Sequence, residues 1–289
     1  MNAPKIYKSN ALVQASYRMS MMEQRIMLAC TSQVRRDQPI TDEVMYSVYA
    51  KDLAEVTGST SKSAYEQLSK AALKLKRREV WLTERPNGDG VHPETLVTGW
   101  VQTIRYKKNE GRVDIRFNKD ILPYLTQITE QFTYYSLKDV AGMTSIYAVR
   151  LFELLAQWRN VGIREINVAW LRDILQMEGK YASIKDFKKW VIDPSVDQIN
   201  KHSPMQVTWE QKKTGRRITH FIFRFNFEEK TKDENKVKKR GLQTTKPHRE
   251  DNTTMFGIPN NVIEKYAQPG DSWQDAAIRA LDSIKKNKD

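Results

Sequence analysis

Residues 46–82 hold the pattern that most restricts how this chain can fold. They predict a short helix over Ala50–Thr57, followed by Gly58, a residue type that suits the left-handed stop of many helices. Hydroxylated residues at 59–61 can cap a second helix that runs to about Arg77. Two helices across a short glycine turn, the second basic on its outer face, indicate a helix-turn-helix.

The second of these helices separates a buried face from an exposed one. Alanines and leucines at positions 64, 68, 72 and 75 recur at helical spacing and predict a buried stripe. In a helix-turn-helix the second helix enters the major groove of DNA. The candidate DNA contacts of this half are therefore the residues on its exposed face: Ser63, Gln67, Lys70, Lys74 and Arg77.

Strand-like stretches rich in β-branched and aromatic residues follow at 79–84, 95–106 and 112–117. The sequence KKNEG joins the last two as a hairpin loop. Upstream, a capping-box pair, Ser20 and Glu23, opens a predicted helix over about 20–35. A helix-turn-helix followed by a small antiparallel sheet predicts a winged helix.

The same order of elements returns in the second half, without an obvious sequence repeat. Helices are predicted at 143–160 and at 168–179, the latter capped by Asn167 and stopped by Gly179. A third helix lies within 183–201, and a hairpin spans 205–227. The predicted fold class is therefore α+β, with two winged helices in tandem.

The third helix of this half is basic and interrupted. Lys185 and Lys189 lie opposite its apolar positions. Pro194 lacks a backbone donor and would crowd the carbonyl of Trp190 in a regular helix. Because Asp193 and Pro194 have the identities of an N-cap and a first helical residue, we predict a kink or a fresh start near position 193.

The tip of the second hairpin carries four cations around Gly215: Lys212, Lys213, Arg216 and Arg217. Such a tip can merely protect a sheet edge from aggregation, and lysines on a helix are most often a solvated face. We favour DNA binding, because both halves place their basic face on the second helix of a helix-turn-helix.

Several aromatic residues could stack on nucleic-acid bases, but the spacing of most of them favours a place in the core. Trp158, Trp170 and Trp209 have aliphatic neighbours at core spacing, and the alternating phenylalanines at 221–227 resemble a stacking face but are expected to pack on helices. Trp190 lies on the flank of the basic helix, and its role is left open.

The predicted domains are 1–137 and 138–228, followed by a flexible and largely disordered tail at 229–289 with a short helix at 272–286. Between 229 and 254 the only large aliphatic residues are Val237 and Leu242, too few to offset the entropy of ordering. We therefore expect removal of the tail to leave thermal stability nearly intact.

The net charge of +13 favours a polyanionic partner. One cysteine, Cys30, cannot form an internal disulfide, which makes a reducing cytosol the default compartment. Neither a secretory signal nor an apolar run of membrane-spanning length is present, so no membrane partner is expected.

Enzyme signatures are missing from the sequence. No two glycines have the spacing of a P-loop, and the four histidines are scattered without metal-ligand spacing. A rolling-circle nickase, which needs paired histidines and a tyrosine, is thereby disfavoured. We predict no catalytic residue, no cofactor and no metal site.

Three separated blocks resemble one protein family. The stretch SIYAVRLFELLAQWR (145–159) is similar to the signature S-x-Y-A-x-R-L-[FY]-E-L of the iteron-binding plasmid replication initiators, the Rep proteins. Residues 187–225 resemble their second recognition helix and wing, and residues 6–35 resemble their opening helix. The resemblance covers both winged helices, about residues 6–227, and not the tail.

This resemblance implies a function for the chain. Members bind repeated double-stranded sites, called iterons, at a plasmid origin as monomers. A homodimer formed through the first domain, in equilibrium with the monomer, represses the protein's own promoter by binding its operator. Bound monomers help to open an A+T-rich segment and bring in the host replication initiator and the replicative helicase, and host chaperones are expected partners too. All of this takes place in the bacterial cytoplasm, without a nucleotide or metal.

By position, the resemblance places Lys188 and Lys189 where the second recognition helix meets DNA, and the hairpin tip where the family has a basic wing. Trp190 stands where close relatives can have arginine. The alternative function is a dedicated dimeric transcription repressor without an initiation role.

Overall fold

The computed structural model describes residues 4–34, 41–57, 60–86, 90–126, 128, 131–227, 254–255, 258–268 and 273–286. In chain order, its first half contains β1 (Lys5–Ser9), α1 (Asn10–Gln14), β2 (Ser16–Tyr17), α2 (Met21–Thr31), β3 (Tyr46–Tyr49), α3 (Ala50–Thr57), α4 (Ser61–Lys76), β4 (Glu79–Glu84), β5 (Val91–Gly99), β6 (Val101–Lys107), β7 (Arg112–Phe117) and β8 (Phe132–Ser136). The second half contains α5 (Lys138–Ala141), α6 (Ile146–Ala156), β9 (Ile163–Asn167), α7 (Val168–Ile174), α8 (Ile184–Phe187), α9 (Asp193–His202), β10 (Met205–Thr214) and β11 (Arg217–Phe227). The C-terminal part contains β12 (Thr254–Met255), β13 (Ile258–Pro259), α10 (Asn260–Ile263) and α11 (Trp273–Lys286).

Two antiparallel sheets with the same strand order organise the two halves. In each sheet the strand before the helix-turn-helix lies at one edge and the last strand lies in the centre, giving β3-β7-β6 and β9-β11-β10. Helix α4 packs on the first sheet and α9 on the second. The predicted α+β fold with two tandem winged helices is confirmed.

Capping residues in the sequence correctly predicted where α2 and α4 begin. Helix α2 begins at the predicted capping box, in which Ser20 accepts from the Glu23 amide and Glu23 from the Ser20 amide, but it ends at Thr31 rather than near 35. Helix α4 is capped by the hydroxyl of Thr60, as predicted. Gly58, the predicted stop of α3, lies outside the described residues.

The prediction of one strand over 95–106 is wrong. The chain leaves β5 at Gly99 and enters β6 at Val101, and the two strands belong to different sheets. The switch is at Trp100, which is buried and meets the Tyr17 ring edge-on at 4.8 Å. Strands β4 and β5 therefore form an extra hairpin inserted between α4 and its wing, extended by β2.

The helices of the second half are shorter than their patterns predicted. The predicted helix at 143–160 is α6 (Ile146–Ala156). Asn167 caps α7 as predicted, but the helix ends before Gly179, because Gln176 adopts a left-handed conformation with φ of 46°. The amides of Gln176 and Met177 bond back to the carbonyls of Asp173 and Arg172, the pattern of a Schellman motif.

Residues 184–202 form one continuous helix with a π turn at Lys188–Ile192 between α8 and α9. The predicted fresh start, with Asp193 as N-cap, is wrong: the backbone of Asp193 stays helical, and its amide bonds to the carbonyl of Lys188, five residues back. The irregularity itself lies where Pro194 predicted it.

The π turn has a packing reason. A regular helix turns by about 100° per residue, which would put Ile192 about 140° away from Phe187. The extra residue in the π turn shifts the following positions back by one step, so Phe187, Val191, Ile192 and Ile199 are all buried in one core.

A two-stranded ribbon, β1 paired with β8, lies between the two winged helices. Ile6 and Val13 of the N-terminal segment and Tyr135 of β8 belong to the core that is otherwise built by the second half. A separate core holds the first winged helix. The domain limits 1–137 and 138–228 stay predictions, since the N-terminal segment contributes to both cores.

The predicted helix at 272–286 is present as α11 (Trp273–Lys286). Ala276, Ala277 and Ala280 of α11 and Ile263 of α10 form a small core onto which Trp158 and Val161 of the second half pack. The expectation that removal of the tail leaves stability nearly intact stays a prediction, although the packing of Trp158 and Val161 argues against it for α10 and α11. The predicted disorder at 229–253 lies outside the described residues. None of the described helices is long and apolar enough to cross a membrane.

Candidate nucleic-acid interface

The helix over 184–202, here called the second recognition helix, presents its lysines in different ways. Lys185 and Lys189 are exposed, as predicted. Lys188 is half-buried, and its ammonium donates to the Gln211 side-chain carbonyl of β10 at 2.9 Å. This bond holds the recognition helix against the strand that leads into the wing.

Trp190 is on the outside of the same helix, with 55% of its surface exposed. The ammonium of Lys189 lies 4.8 Å from the centre of its ring, a cation–π contact that covers one face of the indole. The other tryptophans predicted as core residues, Trp158, Trp170 and Trp209, are partly buried and pack against the core of the second half. Packing in the core of the second half therefore explains these three tryptophans but not Trp190.

The second wing, defined as residues 213–217, has an unneutralised positive tip. Lys213, Arg216 and Arg217 are exposed, and among the described residues no acidic side chain pairs with them. Gly215 at the tip has φ of 61°, a left-handed turn conformation that glycine adopts without strain. Three of the four predicted wing cations are therefore available to an anionic partner.

Lys212 differs from its neighbours. Its ammonium donates to both carboxylate oxygens of Glu165, at 2.8 and 3.1 Å. Glu165 belongs to β9, and the pair lies on the sheet face opposite the buried phenylalanines, Phe221 and Phe223. The structure thus separates Lys212 from the tip and gives it an acidic partner that sequence spacing could not show.

Helix α4, here called the first recognition helix, carries its predicted polar face outward. Gln67, Lys70, Lys74 and Arg77 are exposed. Ser63 is half-buried near the helix start, and the Gln67 amide donates to its hydroxyl at 3.1 Å. Leu73 is also exposed in the middle of this cationic face, which the helical pattern did not predict.

The first wing, defined as residues 107–112, is closely neutralised. Lys107 lies 3.7 Å from a carboxylate oxygen of Glu110 and 3.5 Å from one of Asp114. Arg112 faces the same two acids at 3.0 and 3.5 Å. Only Lys108, at the tip, has no acidic partner among the described residues.

The charged residues of the 145–159 signature form a buried ionic cluster rather than a surface. Arg150 and Glu153 are almost fully buried, and the ammonium of Lys8 lies 2.6 Å from Glu153. Burial by itself would lower the pKa of Lys8, but the neighbouring Glu153 carboxylate more than offsets this and raises that pKa. The hydroxyl of Tyr135 also donates to Glu153, and burial together with that carboxylate holds the pKa of Tyr135 well above its usual value.

Arg150 completes the connection between the two halves. Its guanidinium donates to the backbone carbonyls of Val13 and Ala15 and to the Tyr17 hydroxyl, at 2.7 to 2.9 Å. Residues 5–17 are thereby fixed onto α6. Sequence reasoning missed this role, although two charges three residues apart on the apolar side of a helix were a usable signal.

Two winged helices in one chain, each with a cationic recognition helix, define a tandem winged-helix protein whose surface suits double-stranded DNA. Family models agree: residues 5–156 match "Initiator Replication protein, WH1" and residues 167–225 match "Initiator Rep protein, WH2". The chain therefore belongs to this family, the Rep/pi-type plasmid replication initiators. The family predicted from the three blocks at 6–35, 145–159 and 187–225 is confirmed.

Individual relatives have low sequence identity to this chain but align with most of its length. A replication initiation protein of Escherichia coli is 25% identical over 228 residues, which cover 75% of this chain and 68% of the relative. The PI protein of Escherichia coli is 22% identical over 258 residues, covering 78% and 83%. The crystal structure of the Pi initiator protein in complex with iteron DNA matches 79% of this chain and 99% of its own, with a TM-score of 0.64 and 22% identity. At that identity the structural likeness shows the shared fold.

Proposed function

We propose that this chain initiates plasmid replication by binding repeated double-stranded sites at the origin, with one winged helix on each part of a repeat. The observation that carries the proposal is the pair of recognition helices in one chain, each exposing cations that have no acidic partner among the described residues. The relative solved with iteron DNA has the same tandem arrangement. No catalytic step, cofactor or metal is assigned to the chain.

The finer parts of the proposal concern the steps after DNA binding. Bound monomers promote opening of the neighbouring A+T-rich DNA and bring in the host replication initiator and the replicative helicase, with chaperones among the host partners. A homodimer formed through the first domain represses the chain's own promoter. These steps would take place in the bacterial cytoplasm, on plasmid DNA.

Self-association is supported by the extra hairpin of the first winged helix. Strand β5 lies at the edge of its sheet, where unpaired backbone groups can add a strand from another chain. Trp81 and Val97 are directly paired across β4 and β5, and both are exposed. The exposed apolar pair also favours the alternative function, a dedicated dimeric repressor.

A footprint over the DNA that flanks this gene tests binding. Directly repeated protections beside an A+T-rich segment are expected. Because about six to ten phosphate contacts are expected, log affinity against log salt should have a slope of roughly −5 to −9. A slope near −1 would contradict the assignment of the cationic surfaces.

Plasmid maintenance separates the two functions. An origin fragment joined to a selectable marker should be maintained only when this chain is supplied. Repression of the promoter without any origin-dependent maintenance would establish the repressor and reject the initiator.

A further inference from the structure

Trp190 is exposed on the second recognition helix, so packing in a core does not explain a tryptophan at this position. The π turn at Lys188–Ile192 keeps Phe187, Val191 and Ile192 in the core and leaves Lys189 and Trp190 outside. Its exposed fraction of 55% is the largest among the aromatic side chains of the described residues. π turns inside helices often occur at functional sites.

Single exposed apolar residues are common on protein surfaces, so exposure by itself shows little. Two further features distinguish Trp190. It directly follows Lys189 on the second recognition helix, and the bond from Lys188 to Gln211 ties that helix to β10. Lys189 covers one face of the indole, which orients the ring and leaves its other face and its edge open.

The chemistry of indole limits what Trp190 could contact in a major groove. Its ring is apolar and its nitrogen is a donor only, so it cannot make the two-donor contact with guanine that an arginine makes. The apolar group that the major groove offers is the C5 methyl of thymine. A flat apolar ring, oriented by Lys189 on an otherwise cationic helix, is suited to pack against that methyl group.

We infer that Trp190 is a specificity-determining residue that selects thymine at one position of the repeat by contact with its methyl group. The inference rests on the proposed function, because it requires the second recognition helix to lie in the major groove. It assigns the three neighbours different roles: Lys188 fixes the helix to β10, Lys189 orients the ring, and Trp190 reads the base.

Replacing thymine by deoxyuridine removes only the methyl group, and each thymine of a footprinted repeat can be replaced in turn. For the wild-type chain, one or two adjacent replacements in the part covered by the second winged helix should weaken binding by about three- to fivefold, the size expected for one buried methyl group. Trp190→Ala should bind the unmodified repeat correspondingly more weakly and should be insensitive to deoxyuridine at that same position.

Leu73→Ala provides the matched control, because Leu73 is an exposed apolar residue on the first recognition helix. This variant should keep the deoxyuridine sensitivity that Trp190→Ala loses. Trp190→Arg should shift the preference at that position towards guanine. Thermal melting of each variant establishes that the fold is intact, which is expected for exposed substitutions.

The inference is overturned if folded Trp190→Ala keeps the full wild-type pattern of deoxyuridine sensitivity, or if the wild-type chain binds the repeat and shows no such sensitivity within the second half-site. Failure of the wild-type chain to bind any repeat would instead reject the proposed function, so the two failures are distinguishable.

Discussion

The two winged helices share one strand order, but their wings carry positive charge differently. In the first wing Lys107 and Arg112 both face Glu110 and Asp114 at 3.0 to 3.7 Å. In the second wing Lys213, Arg216 and Arg217 meet no acidic side chain among the described residues. Similar numbers of cations therefore give two very different surfaces.

This difference indicates a division of labour. Cations that already have carboxylate partners release few counterions when they approach phosphate, whereas unpaired cations contribute fully to a salt-dependent affinity. The second winged helix is expected to supply most of the affinity for DNA. The first, with its inserted hairpin and the exposed pair of Trp81 and Val97, is better suited to combine DNA contacts with self-association.

The largest expected effect concerns the connection between the two halves. Glu153→Gln leaves the ammonium of Lys8 buried without a counter-charge, and breaking a buried pair in this way lowers the free energy of unfolding by about 3–5 kcal/mol. Unfolding in denaturant measures this loss of stability. Glu165→Gln, which breaks an exposed pair, is the control and should change stability by less than about 1 kcal/mol.

The pH dependence of the same variant gives an independent check. In the wild type the pKa of Lys8 is raised, so its stabilisation is complete below the unfolded-state pKa, about 10.4, and is lost as the pH rises through the folded-state value. In Glu153→Gln burial lowers that pKa, so stability should instead rise as alkaline pH removes the proton. The same alkaline loss in both proteins would contradict the pairing.

The next effect tests the contact that the second winged helix makes with the C-terminal helices. A chain that ends at residue 257 uncovers Trp158 and Val161, and we expect a loss of about 2–3 kcal/mol in the free energy of unfolding. Lys265→Ala, an exposed change within the same segment, should have no measurable effect. An unchanged unfolding midpoint after truncation would show that the packing adds no stability.

The comparison of the wings predicts a smaller, asymmetric effect on binding. Lys213→Ala with Arg216→Ala should weaken repeat binding by roughly ten- to fiftyfold and reduce the steepness of the salt dependence by about 2. The matched change in the first wing, Lys107→Ala with Arg112→Ala, removes two cations that already have carboxylate partners and should reduce that steepness by less than about 1. Equal losses from the two wings would break the proposed division of labour.

The smallest effect comes from releasing a cation that is already paired. Glu165→Gln frees Lys212, and titrations at low salt should show affinity rising by about twofold, with a salt dependence steeper by up to about 1. Glu110→Gln is the counterpart in the first wing. If neither variant binds DNA more tightly, pairing with carboxylates does not limit how much these cations contribute to DNA affinity.

Sequence reasoning succeeded where structure is determined by neighbours along the chain. The capping box at Ser20, the caps at Thr60 and Asn167, and the buried stripe of α4 are local, and each was predicted. The exposed faces of both recognition helices follow from the same periodicity. Helix ends were predicted less accurately, because Gln176 rather than Gly179 adopts the left-handed conformation that ends α7.

The features that sequence reasoning missed depend on partners far away in the chain. The pairing of β1 with β8, the pair of Lys212 with Glu165 and the docking of α10 and α11 each join segments that no local pattern relates. The π turn was missed for another reason. Pro194 indicated that the helix is irregular near this position. That the irregularity is a π turn depends on the need to rotate Ile192 and Ile199 into the core, which the local sequence does not show.

The ribbon of β1 and β8 has a consequence for how the chain folds during its synthesis. Lys8 and Glu153 are 145 residues apart, so at about 5–20 residues per second the N-terminal segment waits roughly 7–30 seconds for its ionic partner to be made. Throughout that interval Ile6 and Val13, which are fully buried in the finished protein, lack the core of the second half into which they pack. The core of the first winged helix can form from residues 11–125, but the N-terminal segment can make its bonds to Arg150 and Glu153 only after α6 has emerged from the ribosome.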